Sequence, residues 1–372
     1  MKILCVIDNL STGGAQRQIV NLARGLRRRG HEVAMFRYAE GDLLAPYLAK
    51  ESIPVHTRLK KSRFSSNAVR GLRRLIDEGG YRAVVSFLNT PNFYAIAASR
   101  LSRTRPAVVV SERFCDVSGQ VGRLEMAVRR LYRLADRIVV NSRHQNANFT
   151  RRYPWMKGRL VTIYNGYDLD EFSPPAAEPE GPGLGILAIA SVTRYKNGLC
   201  LVRALDVLAR EHGLRPAVDW AGKRARDGDA GEYLAAMEGE LGKAGLGDQW
   251  HWLDQRTDIA ELLRRHDLLV HPSYGEGLPN VVCEAMASGR PVIVSNVLDH
   301  PYLVRDGVNG YLFDPQDPRD LARQIQRFAG LAKPERRRMG ESGRAWAEEN
   351  LSMERYVGDF EKIILEAAGR RG

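Results

Sequence analysis

Cysteine is scarce: Cys5, Cys115, Cys200 and Cys283 are the only four in 372 residues, far apart and without a C-x-x-C pair. Neither a disulfide framework nor a thiolate zinc site is built that way, and a reducing compartment is expected. Long apolar runs are missing too. The stretch MKILCVIDNL is interrupted at Asp8, and no other run approaches the roughly 18 residues a spanning helix needs. A cytoplasmic chain with neither a classical export signal nor a membrane span is the expectation. A third lack concerns glycine: Gly13-Gly14 follow the first apolar run, but the last glycine of a G-x-G-x-x-G fingerprint is absent. Basic residues are also not interleaved with stacking aromatics, so no nucleic-acid partner is expected.

What is present is enough for two domains. Hydrophobic residues make up 44% of the chain, and its length exceeds what one core usually serves. The net charge of +12 is unevenly spread: residues 1–170 hold 30 Lys+Arg against 13 Asp+Glu, a net of +17, which leaves −5 for the remainder. Such asymmetry suits an anionic partner for the first half: nucleic acid, a phosphorylated ligand or an anionic membrane.

Short apolar runs alternate with amphipathic stretches. Strands are predicted at 3–7, 33–37, 83–87, 107–111 and 137–140, with helices at 16–28, 67–77 and 123–135 between them. A proline- and glycine-rich break follows at 173–185. The alternation then resumes, with strands at 186–191, 217–220, 250–253, 268–271 and 291–294 and helices at 199–211, 232–243, 259–265, 280–287 and 320–328. This is an α/β pattern of two Rossmann-like, doubly wound parallel-sheet domains, 1–170 and 171–351. Ligands of such sheets bind beyond the carboxyl ends of the strands, and two such edges are expected to face each other across a cleft.

Residues 275–284, GEGLPNVVCE, fall where a strand end passes through a loop into the 280–287 helix. Pro279 is expected in the first turn, where proline is tolerated. The free N–H groups and dipole of that turn suit a phosphate or diphosphate. Carboxylates repel phosphate, so Glu276 and Glu284 need another task, and ionised carboxylates accept hydrogen bonds from hydroxyls. A diphosphate flanked by hydroxyl-rich rings fits both demands: a nucleotide sugar. The alternative is structural, with Glu276 capping the helix and Glu284 solvated.

Glu276-x7-Glu284 within VHPSYGEGLPNVVCEAMASGRPVIVSNV resembles the signature of retaining GT-B glycosyltransferases, family four of the carbohydrate-enzyme classification. DNLSTGGAQRQIVNLARGL, VTIYNGYDLDEF, WLDQRTDIAELLRRHDLLVHPS and VRDGVNGYLFDPQDPRDLA resemble other family segments, so the similarity runs over nearly the whole chain. It implies that Glu276 contacts hydroxyls of the donor sugar, Glu284 the nucleotide ribose, and the amides at Gly277, Leu278, Pro279 and Asn280 the sugar and diphosphate. Gly13 and Gly14 would face diphosphate or acceptor. Lys196, in ASVTRYKNG, takes the place of the lysine that neutralises the leaving diphosphate, while Arg194 stands closer to it than the family arginine does. The histidine often found after the fourth strand is missing, and Asn89 is nearest its place, as a hydroxyl ligand or as a polar helix cap. VVVSERF, with Glu112 and Arg113 at the end of the fifth strand, resembles segments of members that extend lipid-diphosphate-linked saccharides, which implies an acceptor phosphate on Arg113; a surface ion pair is the alternative. A helix at about 352–372 is expected to pack back on the first domain.

His271, at a strand end before Pro272, is expected to be held by backbone contacts, and Asp168-Leu-Asp170 to be structural. No metal or cofactor is expected. The resulting expectation is transfer from a UDP-sugar to an acceptor hydroxyl of a lipid-linked or other cell-envelope saccharide, with retention. Competing classes are an epimerase or dehydrogenase using the same sheets, and a basic nucleic-acid binder. The basic clusters RLKKSRF (58–64) and RLEMAVRRLYRLADR (123–137), the latter read as an amphipathic helix with Arg137 on its basic flank and Leu124, Val128, Leu131 and Leu134 on the other, suggest docking on the inner face of an anionic membrane.

Overall fold

A computed structural model describes residues 1–11, 13–60, 65–113, 122–176 and 183–371. Cys115, residues 61–64 of the first basic cluster, the side chains of residues 123 and 124, and part of the linker lie outside the described residues. The chain divides into two compact units, Met1–Gly166 with Met353–Gly372, and Tyr167–Ser352. The boundary falls at Tyr167 rather than at residue 171 because Tyr167 is tied into the second unit. Its N–H donates to the Leu351 carbonyl at 2.9 Å and its hydroxyl to Asn280 Oδ1 at 2.7 Å.

The first unit is built on strands β1 (Lys2–Ile7), β2 (Glu32–Arg37), β3 (Val55–Thr57), β4 (Ala83–Phe87), β5 (Ala107–Glu112), β6 (Arg137–Val140) and β7 (Leu160–Thr162). They form one parallel sheet in the order β3-β2-β1-β4-β5-β6-β7. Alternate residues of β1 serve opposite faces. Ile3, Cys5 and Ile7 pack with Leu22, Leu26, Phe360 and Ile364, while Leu4 and Val6 pack with Leu72, Ile76 and Ala95. Burial on both faces is why these strands read as unbroken apolar runs. The Met353–Gly369 helix belongs to this unit, with Arg29 and His31 reaching its Glu361 at 2.8 and 2.6 Å.

The second unit carries β8 (Gly185–Ile189), β9 (Ala217–Ala221), β10 (Trp250–Asp254), β11 (Leu268–His271), β12 (Val292–Ser295) and β13 (Gly310–Phe313). Their order is β10-β9-β8-β11-β12-β13, again all parallel. Strands β3, β7 and β13, which the periodicity did not predict, lie at the sheet edges, and β3 and β7 are only partly buried. Half-covered three-residue strands leave too little alternation to detect.

Two expectations about the second basic cluster are corrected. The helix runs only over Arg123–Leu131, followed by a 3₁₀ turn at Tyr132–Leu134, and Arg137 opens β6 instead of continuing a helical flank. Val128 and Tyr132 are buried with Val108, Val110 and Ile138, and Leu131 packs against them, so the described part of this flank packs on the sheet, while Leu134 is 47% exposed. Amphipathic helices bury their apolar stripe by preference.

Cys5, Cys200 and Cys283 are free and buried. Burial pushes the Cys5 and Cys200 thiols up to about 12, so both are inert near neutrality. Among the described residues no helix is long and apolar enough to cross a membrane.

Candidate functional site

In both sheets the strand order reverses between the first strand and the fourth. The crevice beyond the carboxyl ends of that strand pair is the usual ligand position in open α/β sheets.

In the second unit the pair is β8 and β11. After β8 the chain makes a 3₁₀ turn at Arg194–Lys196, and Asn197 then adopts a left-handed conformation (φ 55°) before the Gly198–His212 helix. The buried Asn197 amide holds that turn in place by donating to the carbonyls of Pro272 (3.1 Å) and Pro315 (2.9 Å). Asparagine tolerates this backbone better than most residues. After β11 the loop carrying Glu276 is tied down by Ser273, whose hydroxyl donates to the Gly275 carbonyl at 3.1 Å, and by the Tyr274 N–H donating to the Tyr195 carbonyl at 3.0 Å.

These constraints bring Lys196 and Glu276 together. Lys196 Nζ donates to Glu276 Oε1, and the same oxygen lies 3.2 Å from His271 Nε2. The lysine and glutamate side chains are 23% and 20% exposed, and His271 is almost fully buried. Burial pushes the Glu276 carboxyl upward, but hydrogen bonding and charge from His271 and Lys196 outweigh it and hold the group at about 2. His271 is therefore positioned by a carboxylate rather than by backbone contacts, a correction whose only sequence signal was its place five residues before Glu276. His300, which sequence reasoning did not single out, stands behind it with ring centroids 5.5 Å apart. Its Nδ1–H donates to the Ser295 carbonyl at 2.6 Å. Burial, with His271 nearby, lowers its pKa to about 3, so it is a neutral spacer.

Glu276 does not cap the next helix. The Asn280–Ala287 helix has Pro279 at its N-cap, one residue earlier than predicted, and neither a capping side chain nor an acidic residue in its first turn. Pro279 has no N–H, so it contributes only its carbonyl, which accepts from Val282 and Cys283 at 3.1 and 3.2 Å. The other residues of that stretch, Gly277, Leu278 and Asn280, each carry a backbone N–H. Glu284 lies one turn along the same helix, half-buried. Arg194 turns away from Lys196: its guanidinium meets Asp229 at 2.7 Å and Glu232 at 3.7 Å and lies over the Tyr233 ring.

In the first unit the corresponding pair is β1 and β4. Gly13 is the N-cap of the Gly14–Arg28 helix, and a Cβ there would strike the Gln16 amide, which donates to Asp8 Oδ1 at 2.9 Å. Asn89 is the first residue of the Asn89–Leu101 helix and not its cap, the cap being Leu88 at φ 77°; its Nδ2 is buried with no hydrogen-bond partner among the described residues. The buried polar work falls to Asn92 instead. It accepts from the Ser86 hydroxyl (2.7 Å) and donates to the Ser111 carbonyl (3.0 Å) and the Tyr132 oxygen (2.9 Å), while the Tyr132 hydroxyl donates to Glu112 Oε2 at 2.9 Å. Glu112 is fully buried, with Arg129 3.6 Å away, so it is no surface charge. Arg113 stacks on the Phe87 ring at 4.1 Å and donates to Asn165 Oδ1.

Asp168 accepts from the N–H groups of Asp170 and Glu171 at 3.1 and 3.3 Å, a local turn. Among the described residues no three His, Cys, Asp or Glu side chains gather as a metal ion would need.

Comparison with known proteins fits this layout. The family model "Glycosyltransferase Family 4" matches residues 12–171 and "Glycosyl transferases group 1" matches residues 183–330. The chain belongs to the group 1, family four glycosyltransferases. It is 30% identical over 202 residues to a D-inositol 3-phosphate glycosyltransferase of Mycolicibacterium vanbaalenii, covering 50% of this chain and 44% of that protein. The chain thus spans about half the length of the curated relatives it matches. Its fold is shared with a glycosyltransferase from Rickettsia africae (TM-score 0.84, 18% identity, 98% of both chains). Anabaena Alr3699/HepE, solved in complexes with UDP and with UDP-glucose, is also similar: in the UDP complex the TM-score is 0.83 at 18% identity, over 98% of this chain and all of that one.

Proposed function

We propose that the chain transfers a glycosyl group from a nucleoside-diphosphate sugar, with UDP as the carrier, to a hydroxyl of a lipid-diphosphate-linked or other cell-envelope saccharide, with retention. The observation that carries this reading is the Lys196–Glu276–His271 cluster beside an uncapped helix N-terminus at the β8/β11 crevice. A similar protein, HepE, was solved with UDP and with UDP-glucose.

In this reading Lys196 leaves Glu276 for the diphosphate and offsets the charge that develops as it departs. The amides of Gly277, Leu278 and Asn280, aided by the helix dipole, hold the phosphates and sugar. Glu276, ionised at neutral pH, accepts donor-sugar hydroxyls, and Glu284 accepts those of the ribose. In the first unit Gly13 and Gly14 offer amides to phosphate or acceptor, Asn89 its side-chain amide to a hydroxyl, and Arg113 its guanidinium to an acceptor phosphate. Arg194, spoken for by Asp229, is given no part in the chemistry. No side chain is assigned as a nucleophile; the departing diphosphate takes up the acceptor proton on the same face. The charge work is assigned to Lys196 and the helix terminus, without a metal. Docking on an anionic inner membrane face belongs to the reading through the basic charge of residues 1–170, not through insertion of the 123–131 helix.

Hydrolysis of a panel of nucleotide sugars without acceptor tests the donor class. One UDP-sugar should be cleaved preferentially, and Glu284→Gln should raise its KM with kcat nearly kept. Turnover of none, or an unchanged KM in that variant, would overturn the assignment.

A further inference from the structure

At the opposite, amino-terminal edge of the first unit's sheet lies a pocket of about 730 Å³ that no part of the transfer reading uses. Arg105 precedes β5, Arg137 opens β6 and Arg159 precedes β7, so the pocket sits a strand length, about 17 Å, from the carboxyl edge that holds Asn89 and Arg113. Seven guanidinium groups line it, against Asp136 as the single lining carboxylate.

Asp136 is already saturated. It accepts from Arg371 at 2.9 and 2.7 Å, from Arg100 at 3.3 Å and from the Val108 N–H at 2.8 Å. Several of the arginines are fixed by carbonyls instead: Arg100 donates to Leu134, Arg159 to Ala135 and Arg137 to the Asp136 backbone. Carbonyls orient a guanidinium without neutralising it. Arg137 has Glu366 at 3.2 Å, but Arg105 and Arg370 have no carboxylate partner among the described residues. The crowding is felt: burial first, and then the charges of Arg371 and Arg105, lower the Arg100 pKa. Trp155, with Arg133 over its ring at 5.0 Å, supplies a flat apolar wall.

Seven guanidinium groups around one saturated carboxylate, several held by carbonyls and two without a carboxylate partner among the described residues, suit in a cavity of ligand size the oxygens of closely spaced phosphates. We propose that this pocket is a second binding site, for the phosphate groups of a multiply charged anion. It does not depend on the transfer reading.

Titration calorimetry with inorganic tripolyphosphate in about 0.15 M salt, where diffuse attraction is screened, tests it. The probe should bind wild type and an Arg203→Ala/Arg210→Ala control alike, the control losing equal charge from an exposed helix of the second unit. It should bind Arg105→Ala/Arg370→Ala at least about ten-fold more weakly, as expected when two charge-assisted contacts are removed. Uptake at the carboxyl-edge sites would not distinguish these variants. In a parallel arm, sedimentation with phosphatidylglycerol and phosphatidylcholine vesicles separates the sources: anionic-vesicle binding that falls in the same double variant assigns a lipid headgroup, and tripolyphosphate binding alone assigns a free anion. No binding in either arm, or equal binding by both double variants, would overturn the site.

Discussion

Replacing Glu276 by glutamine removes a charge from the Lys196–Glu276–His271 cluster while keeping the side chain's size, so it imitates the protonated carboxyl. Between an ordinary glutamate near 4.5 and one held at about 2 the ionised form is favoured in the folded chain by about 3 kcal/mol. Screening of a side chain one-fifth exposed trims this to about 2 kcal/mol. Because the folded-state pKa is depressed, this stabilisation is complete above about pH 4.5 and is lost as pH falls toward about 2. Glu276→Gln should therefore be about 2 kcal/mol less stable than wild type at pH 7, with the gap closing as the solution is acidified. Trp220, Trp250, Trp252 and Trp346 all lie in the second unit with Glu276, leaving only Trp155 in the first. Urea unfolding followed by tryptophan fluorescence at several pH values thus reports on the relevant unit. A gap that stays constant from pH 7 to pH 3, or a variant more stable than wild type at neutrality, would refute the electrostatic account of this cluster.

Other consequences can be checked separately. Lys196→Ala should lower kcat by on the order of 10²- to 10³-fold, as for loss of other preorganised electrostatic donors, while circular dichroism stays unchanged; wild-type turnover would take the lysine out of the chemistry. Tyr132→Phe leaves Glu112 and Asn92 each short of a partner in the core of the first unit, which should cost about 1 to 3 kcal/mol; an unchanged midpoint in chemical unfolding would contradict this. Gly222→Ala places a Cβ 1.9 Å from the Ala190 carbonyl oxygen, and since backbone cannot step aside, the second unit should lose stability by more than about 1 kcal/mol, read as a lower Tm in calorimetry.

Local patterns carried much of this in advance. The runs at 3–7 and 268–271 are apolar because both faces of a parallel sheet are covered, and that burial is written into consecutive residues. The spacing of Glu276 and Glu284 around a glycine-rich helix start was visible for the same reason: the loop, cap and first helical turns are contiguous in the chain. Lys196 was legible only through resemblance, since a lone lysine in a turn has no periodicity to betray it.

What the chain alone did not disclose depended on partners distant in sequence. Arg194 and Lys196 differ by two positions, yet one faces Asp229 and the other Glu276, a division made by the tight turn that the buried Asn197 side chain pins. Glu112 looked like a surface charge beside Arg113 until Tyr132 and Arg129 closed over it. The arginines at 100, 105, 137, 159 and 371 are scattered through the sequence and converge only because parallel strands bring their amino ends to one edge. Periodicity records which face of an element is buried, a property of neighbours along the chain. Which charges meet is set by strand order and loop conformation, and those exist only once the sheets have formed.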